Sequence, residues 1–203
     1  MTPRTILVTV LGLLTGAAVA LTLAMPPRTD LPKNTTSQGQ ARIGGPFTLT
    51  STQGGAVTDQ TYLGSPLLVY FGFTHCPDIC PAGLQIISAA LDKLGDKAAK
   101  IAPLFITLDP ERDTVAKLGA YVQSFHHGIV GLTGTLEQTA AAAKTYRVYA
   151  KKVPSGTAPG EYSIDHSGFM YLMDARGKFV THFPHNVSAD KLASALTETL
   201  AKN

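Results

Sequence analysis

The sequence predicts an α/β fold, a mixed sheet with helices on both faces, and three observations carry that prediction. Two runs of almost unbroken apolar residues, Leu67 to Phe73 and Ile101 to Leu108, have the composition of strands buried on both faces. Stretches with helical spacing of apolar residues alternate with these runs, which is the order of an α/β protein. Near the C-terminus, Phe169 to Met173 and Lys178 to Phe183 alternate across Asp174-Ala175-Arg176-Gly177. That pattern is an antiparallel hairpin, and it makes the sheet mixed.

From the start of the chain, residues 5 to 24 carry no charge. At about 1.5 Å per residue they are long enough to cross a hydrocarbon layer of ~30 Å. Residues 1–25 are therefore expected to be a membrane anchor. The alternative is a cleaved signal peptide ending at Ala18-Val19-Ala20, but apolar residues continue past that point to Met25. The short N-terminal tail favours export of everything that follows. Charge decides little, since Arg28 and Lys33 balance Arg4 and the terminal amine. Residues 26–45 turn to Pro, Thr, Asn, Ser, Gln and Gly and read as a flexible tether. Residues 46–203 have the size of one domain with a real core.

Within that domain, Phe47 to Thr50 and Ala56 to Thr58 read as a small hairpin around Gln53-Gly54-Gly55. Leu67 to Phe73 is the central strand, and Pro81 to Leu94 is an amphipathic helix closed by Gly95. Ile101 to Leu108 is the second buried strand. Thr114 is placed to cap a helix ending near Phe125, and Ile129 to Leu132 forms a short strand. Thr135-Leu136-Glu137-Gln138 fits a capping box opening a helix to about Tyr146. Val148 to Val153 is a further strand, 154–160 a surface loop, and Ser188 caps the last helix. This order of elements describes a sheet of thioredoxin-like type. It does not fit an all-helical bundle or a β-sandwich.

The formal charge of +3 says little about partners. Arg4, Arg28, Lys33 and Arg42 against Asp30 account for all of it, and the domain itself is balanced without a basic stripe. Nucleic acid is not expected as a partner.

Both cysteines of the chain, Cys76 and Cys80, follow the central strand at its C-terminal edge, where reactive groups gather in open α/β sheets. Each precedes a proline, which disfavours helical backbone at the cysteine. Pro81 suits a first helical position, so Cys80 is expected at the N-cap, with its sulfur near free amides that favour thiolate. In a helix, residues four apart have Cβ atoms ~5–6 Å apart, too far for a disulfide, which wants about 3.5–4.5 Å. A bent loop permits either a redox-active Cys76–Cys80 disulfide or a metal pincer. A purely structural disulfide over so short a loop would restrict little chain entropy. Iron–sulfur clusters and structural zinc normally take four protein ligands, and haem attachment needs a C-x-x-C-H run that is absent. Two thiolates and one imidazole would suit monovalent copper.

Six histidines could supply that imidazole. His75 points away from Cys76 if the strand alternation persists. His126 and His127 follow a helix, where polar caps are ordinary, and His182 and His185 flank the last strand in solvent. His166 differs in sitting within Asp165-His166-Ser167, a polar turn just before an apolar strand. Spacing alone leaves the choice open.

Four motifs resolve it by resemblance. Phe71-Gly72-Phe73-Thr74-His75-Cys76-Pro77-Asp78-Ile79-Cys80-Pro81, Ile106 to Thr114 (ITLDPERDT), Gly131-Leu132-Thr133-Gly134 and Asp165-His166-Ser167 occur in the order that is similar to the Sco/SenC family. These are membrane-anchored, thioredoxin-like copper proteins that assist assembly of the copper-A centre of cytochrome c oxidase. The resemblance implies copper held by Cys76, Cys80 and His166. One ion per domain is expected, monovalent with the divalent ion as a second state, and either the Asp165 carboxylate or the Ser167 hydroxyl is placed to fix the imidazole tautomer. It further implies a copper donor protein, the copper-A-bearing oxidase subunit as acceptor, and a soluble domain on the outer side of a membrane, in periplasm or intermembrane space. The run Asp109 to Asp113 matches the family, although a strand-to-helix turn with surface ion pairs accounts for it. Val115 departs from the proline usual after the threonine, which touches a helix start and not the site.

Two enzymatic alternatives follow from the same residues. A thiol-disulfide oxidoreductase that keeps the acceptor's cysteines reduced fits a thiolate at a helix start, but thioredoxins use C-x-x-C and need no opposing histidine. A peroxiredoxin-type peroxidase needs threonine three residues before its cysteine, where this chain has Phe73.

Overall fold

The computed structural model describes residues 43–156 and 160–202. The anchor expected at 1–25 and most of the tether expected at 26–45 lie outside the described residues. Among the described residues, no helix is long and apolar enough to cross a membrane.

In chain order, β1 (Thr48–Ser51) and β2 (Ala56–Thr58) pair as a hairpin. Then come β3 (Leu67–Gly72), α1 (Ile79–Leu94), β4 (Ala102–Thr107), α2 (Val115–Val122) and β5 (Val130–Thr133), two successive strand-helix-strand units. After α3 (Leu136–Thr145), β6 (Ala150–Pro154) and β7 (Tyr162–His166) form a ribbon of their own. The chain ends with β8 (Phe169–Met173), β9 (Phe179–Pro184) and α4 (Ala189–Ala201). Seven strands make one sheet in the order β2-β1-β5-β4-β3-β8-β9. Its centre, β5-β4-β3, is parallel, and β1 and β8 join antiparallel on either side. This is the mixed thioredoxin-like sheet that the alternation of elements requires.

Alternation along β3 divides the core in two. Leu68 and Tyr70 pack with Leu84, Ile87 and Leu91 of α1, Leu118 of α2 and Leu192 and Leu196 of α4. Leu67, Val69 and Phe71 face the other way, against Ala142 and Ala143 of α3 and Tyr146 just after it. Every residue of β3 is buried, so the strand has no solvent face and needs none of the alternation seen in edge strands. The caps act where their side chains predict. Thr114 accepts from the Lys117 amide, Thr135 and Gln138 close a capping box, and Ser188 accepts from the Lys191 amide. At the end of α1, Gly95 adopts φ 54°, a left-handed value that favours glycine.

Three local expectations need correction. The helix α1 begins at Ile79, and its N-cap is Asp78 rather than Cys80. Pro81 is its third residue, a position equally free of any need for an N–H, because the first intrahelical bond runs from Ala82 N to the Asp78 carbonyl. His166 closes a strand and does not lie in a turn. That strand went unread because β7 is half exposed and is held by pairing with β6, from Ala150 opposite His166 to Pro154 opposite Tyr162. Asp109 and Asp113, expected on the surface, are wholly buried.

Candidate metal centre

The dithiol half of the site grows out of β3. Beyond Gly72 the chain turns through Thr74 and His75, and the Cys76 amide donates to the Phe73 carbonyl at 3.2 Å. Asp113 pins this turn from below. Its Oδ2 accepts from the Thr74 amide at 3.0 Å and the Thr107 hydroxyl at 2.6 Å, and its Oδ1 accepts from the Thr74 hydroxyl at 2.6 Å. Thr133 adds a bond to the Asp113 carbonyl at 2.9 Å, so one buried residue joins the ends of β3, β4 and β5.

Cys80, in the first turn of α1, is fully buried, and Cys76 is 9% exposed. Two glycines make room for this. A Cβ on Gly72 would lie 2.7 Å from Cys80 Sγ, and one on Gly83 would lie 2.7 Å from the Tyr70 hydroxyl. That hydroxyl donates to the Ile79 carbonyl at 3.0 Å and so ties the start of α1 to the central strand.

Because the helix starts at Ile79, it is Cys76 and not Cys80 that lies off its N-terminus. The Cys80 amide points at Cys76 Sγ at 3.4 Å. The Cys76 thiol is accordingly lowered to about 4, chiefly by the hydrogen bond from Cys80, with the amides of Asp78 and Cys80 acting in the same direction against burial. Cys80 is pushed up by the same bond and by burial. Donors converge on the Cys76 sulfur while burial encloses Cys80, so the dithiol as a pair favours loss of its first proton, with Cys76 the preferred thiolate.

The imidazole half comes from the ribbon. His166 Nε2 lies 3.5 Å from Cys80 Sγ, and its ring meets Phe73 edge-on at 5.8 Å between centroids. His166 Nδ1 lies 3.1 Å from the Ser167 carbonyl, an oxygen that can only accept. Nδ1 therefore carries the hydrogen, and the nitrogen facing the sulfurs is Nε2. Of the two residues expected to support the ring, Asp165 is exposed on the other face of β7. Ser167 supports it through its backbone, while its hydroxyl accepts from the Tyr149 amide at 3.2 Å. The ligand atoms of Cys76, Cys80 and His166 all lie within 4.8 Å of one another. Two soft sulfurs and one imidazole, the sulfurs buried, form a donor set suited to copper.

The other histidines stay apart from this group. His75 is exposed beside Thr74. His126 and His127 stack on each other at 4.4 Å, and His182 packs edge-on against Phe169 at 5.0 Å.

Comparison with known proteins bears on the same residues. The family model described as SCO1/SenC matches residues 35–201. The chain belongs to the SCO1/SenC family. Among its SCO1/SenC relatives, the mitochondrial protein SCO1 homolog 1 of Arabidopsis thaliana is 41% identical over 165 residues, 81% of this chain and 49% of the relative. The mitochondrial SCO1 homolog of Homo sapiens is 41% identical over 160 residues, 78% of this chain and 53% of the relative. The chain thus matches about half the length of these relatives. Among solved structures, copper-bound ScoI of Bradyrhizobium japonicum superposes with a TM-score of 0.72 at 45% identity, covering 77% of this chain and 99% of that one.

Proposed function

We propose that this protein is a copper metallochaperone, which holds one copper ion between Cys76, Cys80 and His166 and passes it to the copper-A-bearing subunit of cytochrome c oxidase. The observation that carries the reading is the convergence of two sulfurs and Nε2 within 4.8 Å. Copper is cargo here, so the protein transfers it without turnover. Both sulfurs bind as thiolates, and the donors around Cys76 favour its deprotonation first. His166 needs a free lone pair on Nε2, which the Nδ1 contact to the Ser167 carbonyl arranges. The low ligand number suits monovalent copper during transfer, because an acceptor sulfur can join before a donor sulfur leaves. The divalent ion depends more on His166, because its tetragonal preference asks for more than two sulfurs.

The uncharged run at residues 5–24 supports an anchor, with the domain facing the outer side of the membrane in periplasm or intermembrane space. A donor protein delivers the copper there. The mitochondrial names of the plant and human relatives and the bacterial source of the copper-bound one agree with such a compartment.

The test is copper analysis of residues 43–203 after loading under reducing conditions, with X-ray absorption on the product. One copper per chain with sulfur and imidazole neighbours is expected, and a protein that emerges without copper refutes the reading. A second reading, thiol-disulfide exchange, is favoured by the Cys76 thiolate beside a protonated Cys80. In it, Cys76 sulfur attacks a partner disulfide and releases one partner thiolate. Cys80, after losing its proton, then closes the Cys76–Cys80 disulfide and frees the second thiolate. His166→Ala separates the two readings, because it removes a copper ligand and touches no sulfur.

A further inference from the structure

The ribbon that carries His166 makes no ladder hydrogen bond to the seven-stranded sheet. Only Ser167 and Gly168 join His166 to β8, so the sheet tethers one end of β7 and its far end must be held by other contacts. We propose that Arg112, acting with Asp109 and Tyr162, is a positioning residue for His166, an inference that rests on the reading of Cys76, Cys80 and His166 as a copper site.

Residues 162, 164 and 166 lie on one face of β7, by the two-residue period of a strand. Ile164 is buried in the core between the other two. Fixing the direction and roll of the strand at Tyr162 therefore aims His166, some 13 Å further along at about 3.3 Å per residue. Arg112 fixes that end in two ways. Its Nη1 donates to the Tyr162 carbonyl at 3.0 Å, and its guanidinium lies 3.7 Å from the centre of the Tyr162 ring. Asp109, wholly buried just past β4, receives both partners. Arg112 Nε donates to its Oδ2, and the Tyr162 hydroxyl donates to its Oδ1 at 2.7 Å. The same guanidinium lies 5.9 Å from the centre of the Phe73 ring, against which His166 packs. Arg112 thus touches the far end of the ribbon and the ring that buttresses the near end. Outside it, Lys152 of β6 pairs with Glu111 and lies 4.5 Å from the centre of the same tyrosine ring. Only a planar fork can bond a carboxylate edge, donate to a carbonyl and stack on a ring together, and a lysine ammonium cannot.

A network that merely stabilises the fold would weaken copper binding regardless of His166, whereas a positioning residue acts only through it. The experiment is a double-mutant cycle on the full chain. Monovalent copper is titrated against a competing chelator for wild type, Arg112→Lys, His166→Ala and the double variant. Arg112→Lys keeps a charge beside Asp109 and should weaken binding on the order of 10-fold. In the His166→Ala background it should cause no further loss. X-ray absorption of copper-loaded Arg112→Lys should retain two sulfur neighbours with diminished imidazole scattering. Wild-type affinity in Arg112→Lys, or the same loss in both backgrounds, overturns the proposal. Should Arg112→Lys fail to fold, Tyr162→Phe, which removes only the hydroxyl on Asp109, runs through the same cycle with a few-fold loss expected and the same criteria. If His166→Ala itself binds copper as wild type does, the copper-site reading has failed and this inference falls with it. A fault in Arg112 alone leaves His166→Ala impaired.

Discussion

The two halves of the candidate metal centre are held in place by different means. Cys76 and Cys80 sit at the junction of a fully buried parallel strand and the helix that follows it, and main-chain bonds, two glycines and the Asp113 knot define their positions. His166 stands on a half-exposed ribbon outside the main sheet, reached by side-chain contacts from Arg112, Asp109 and Phe73. The sulfurs are therefore built into the fold, while the imidazole is attached to it.

The largest effect expected from breaking this arrangement falls on the built-in half. Cys76→Ser or Cys80→Ser replaces a soft thiolate by a hard hydroxyl, and monovalent copper affinity should drop by more than ~100-fold, measured by chelator competition. Removing the attached ligand by His166→Ala should cost roughly 10–100-fold for the monovalent ion and more for the divalent one. The dithiol-disulfide potential of that variant should remain near wild type, and the two quantities measured on one sample test the division directly. If His166→Ala lost more monovalent copper than Cys80→Ser, the hierarchy would be reversed.

A backbone test comes next. Gly72→Ala would press a methyl into Cys80 Sγ at 2.7 Å and into the Phe105 ring at 2.8 Å, both rigidly held. Overpacking of this kind costs about 1–3 kcal/mol, which denaturant midpoints can measure. The strain should fall on Cys80 and leave the ribbon undisturbed, so amide exchange should rise at the start of α1 and stay constant in β7.

The contrast between the halves is also what made one legible in the sequence and the other not. An apolar run ending in two cysteines marks a buried strand and its C-terminal edge by composition alone, and the caps at Thr114, Thr135 and Ser188 announce their helices locally. Pro81, by contrast, fits the first and third positions of a helix equally well, so the start of α1 and the identity of the thiolate were not decided by sequence. β7 does alternate, as Tyr162-Ser163-Ile164-Asp165-His166, but with one buried side chain in five residues and an exposed partner in β6 the signal is too short to separate from a polar turn. Nothing local distinguishes the buried Asp109 and Asp113 from surface acids, since their partners Tyr162, Thr74 and Thr107 come from other elements. The roles of Gly72 and Gly83 are likewise facts of close approach that only the packed structure contains.

The smallest expected effect concerns pH and again separates the halves. His126, in the loop after α2, is bound to the helix that carries Cys80. Its amide donates to the Ser88 hydroxyl at 3.0 Å, and its Nδ1 accepts from the Gly128 amide at 3.0 Å. Burial lowers its pKa from the ordinary histidine value of 6.5, charge repulsion from the neighbouring His127 adds to that, and Asp92 of α1 partly opposes it. With the folded value below the unfolded one, the unfolded chain binds more protons in between, so stability rises with pH across that window. The contribution is complete above about 6.5 and is lost as the pH falls through the lowered folded value. The side chain is only 10% exposed, and a modest drop in the denaturant midpoint is expected between pH 7.5 and 5, flattened in His126→Asn, whose side-chain oxygen can accept the Gly128 amide in place of Nδ1. Amide exchange over the same range should increase around Ser88 and the loop after α2, with no matching change in β6 and β7. Equal loosening of the ribbon would mean that the two halves are coupled through the core and that the attachment of His166 is not independent of the helix that holds Cys80.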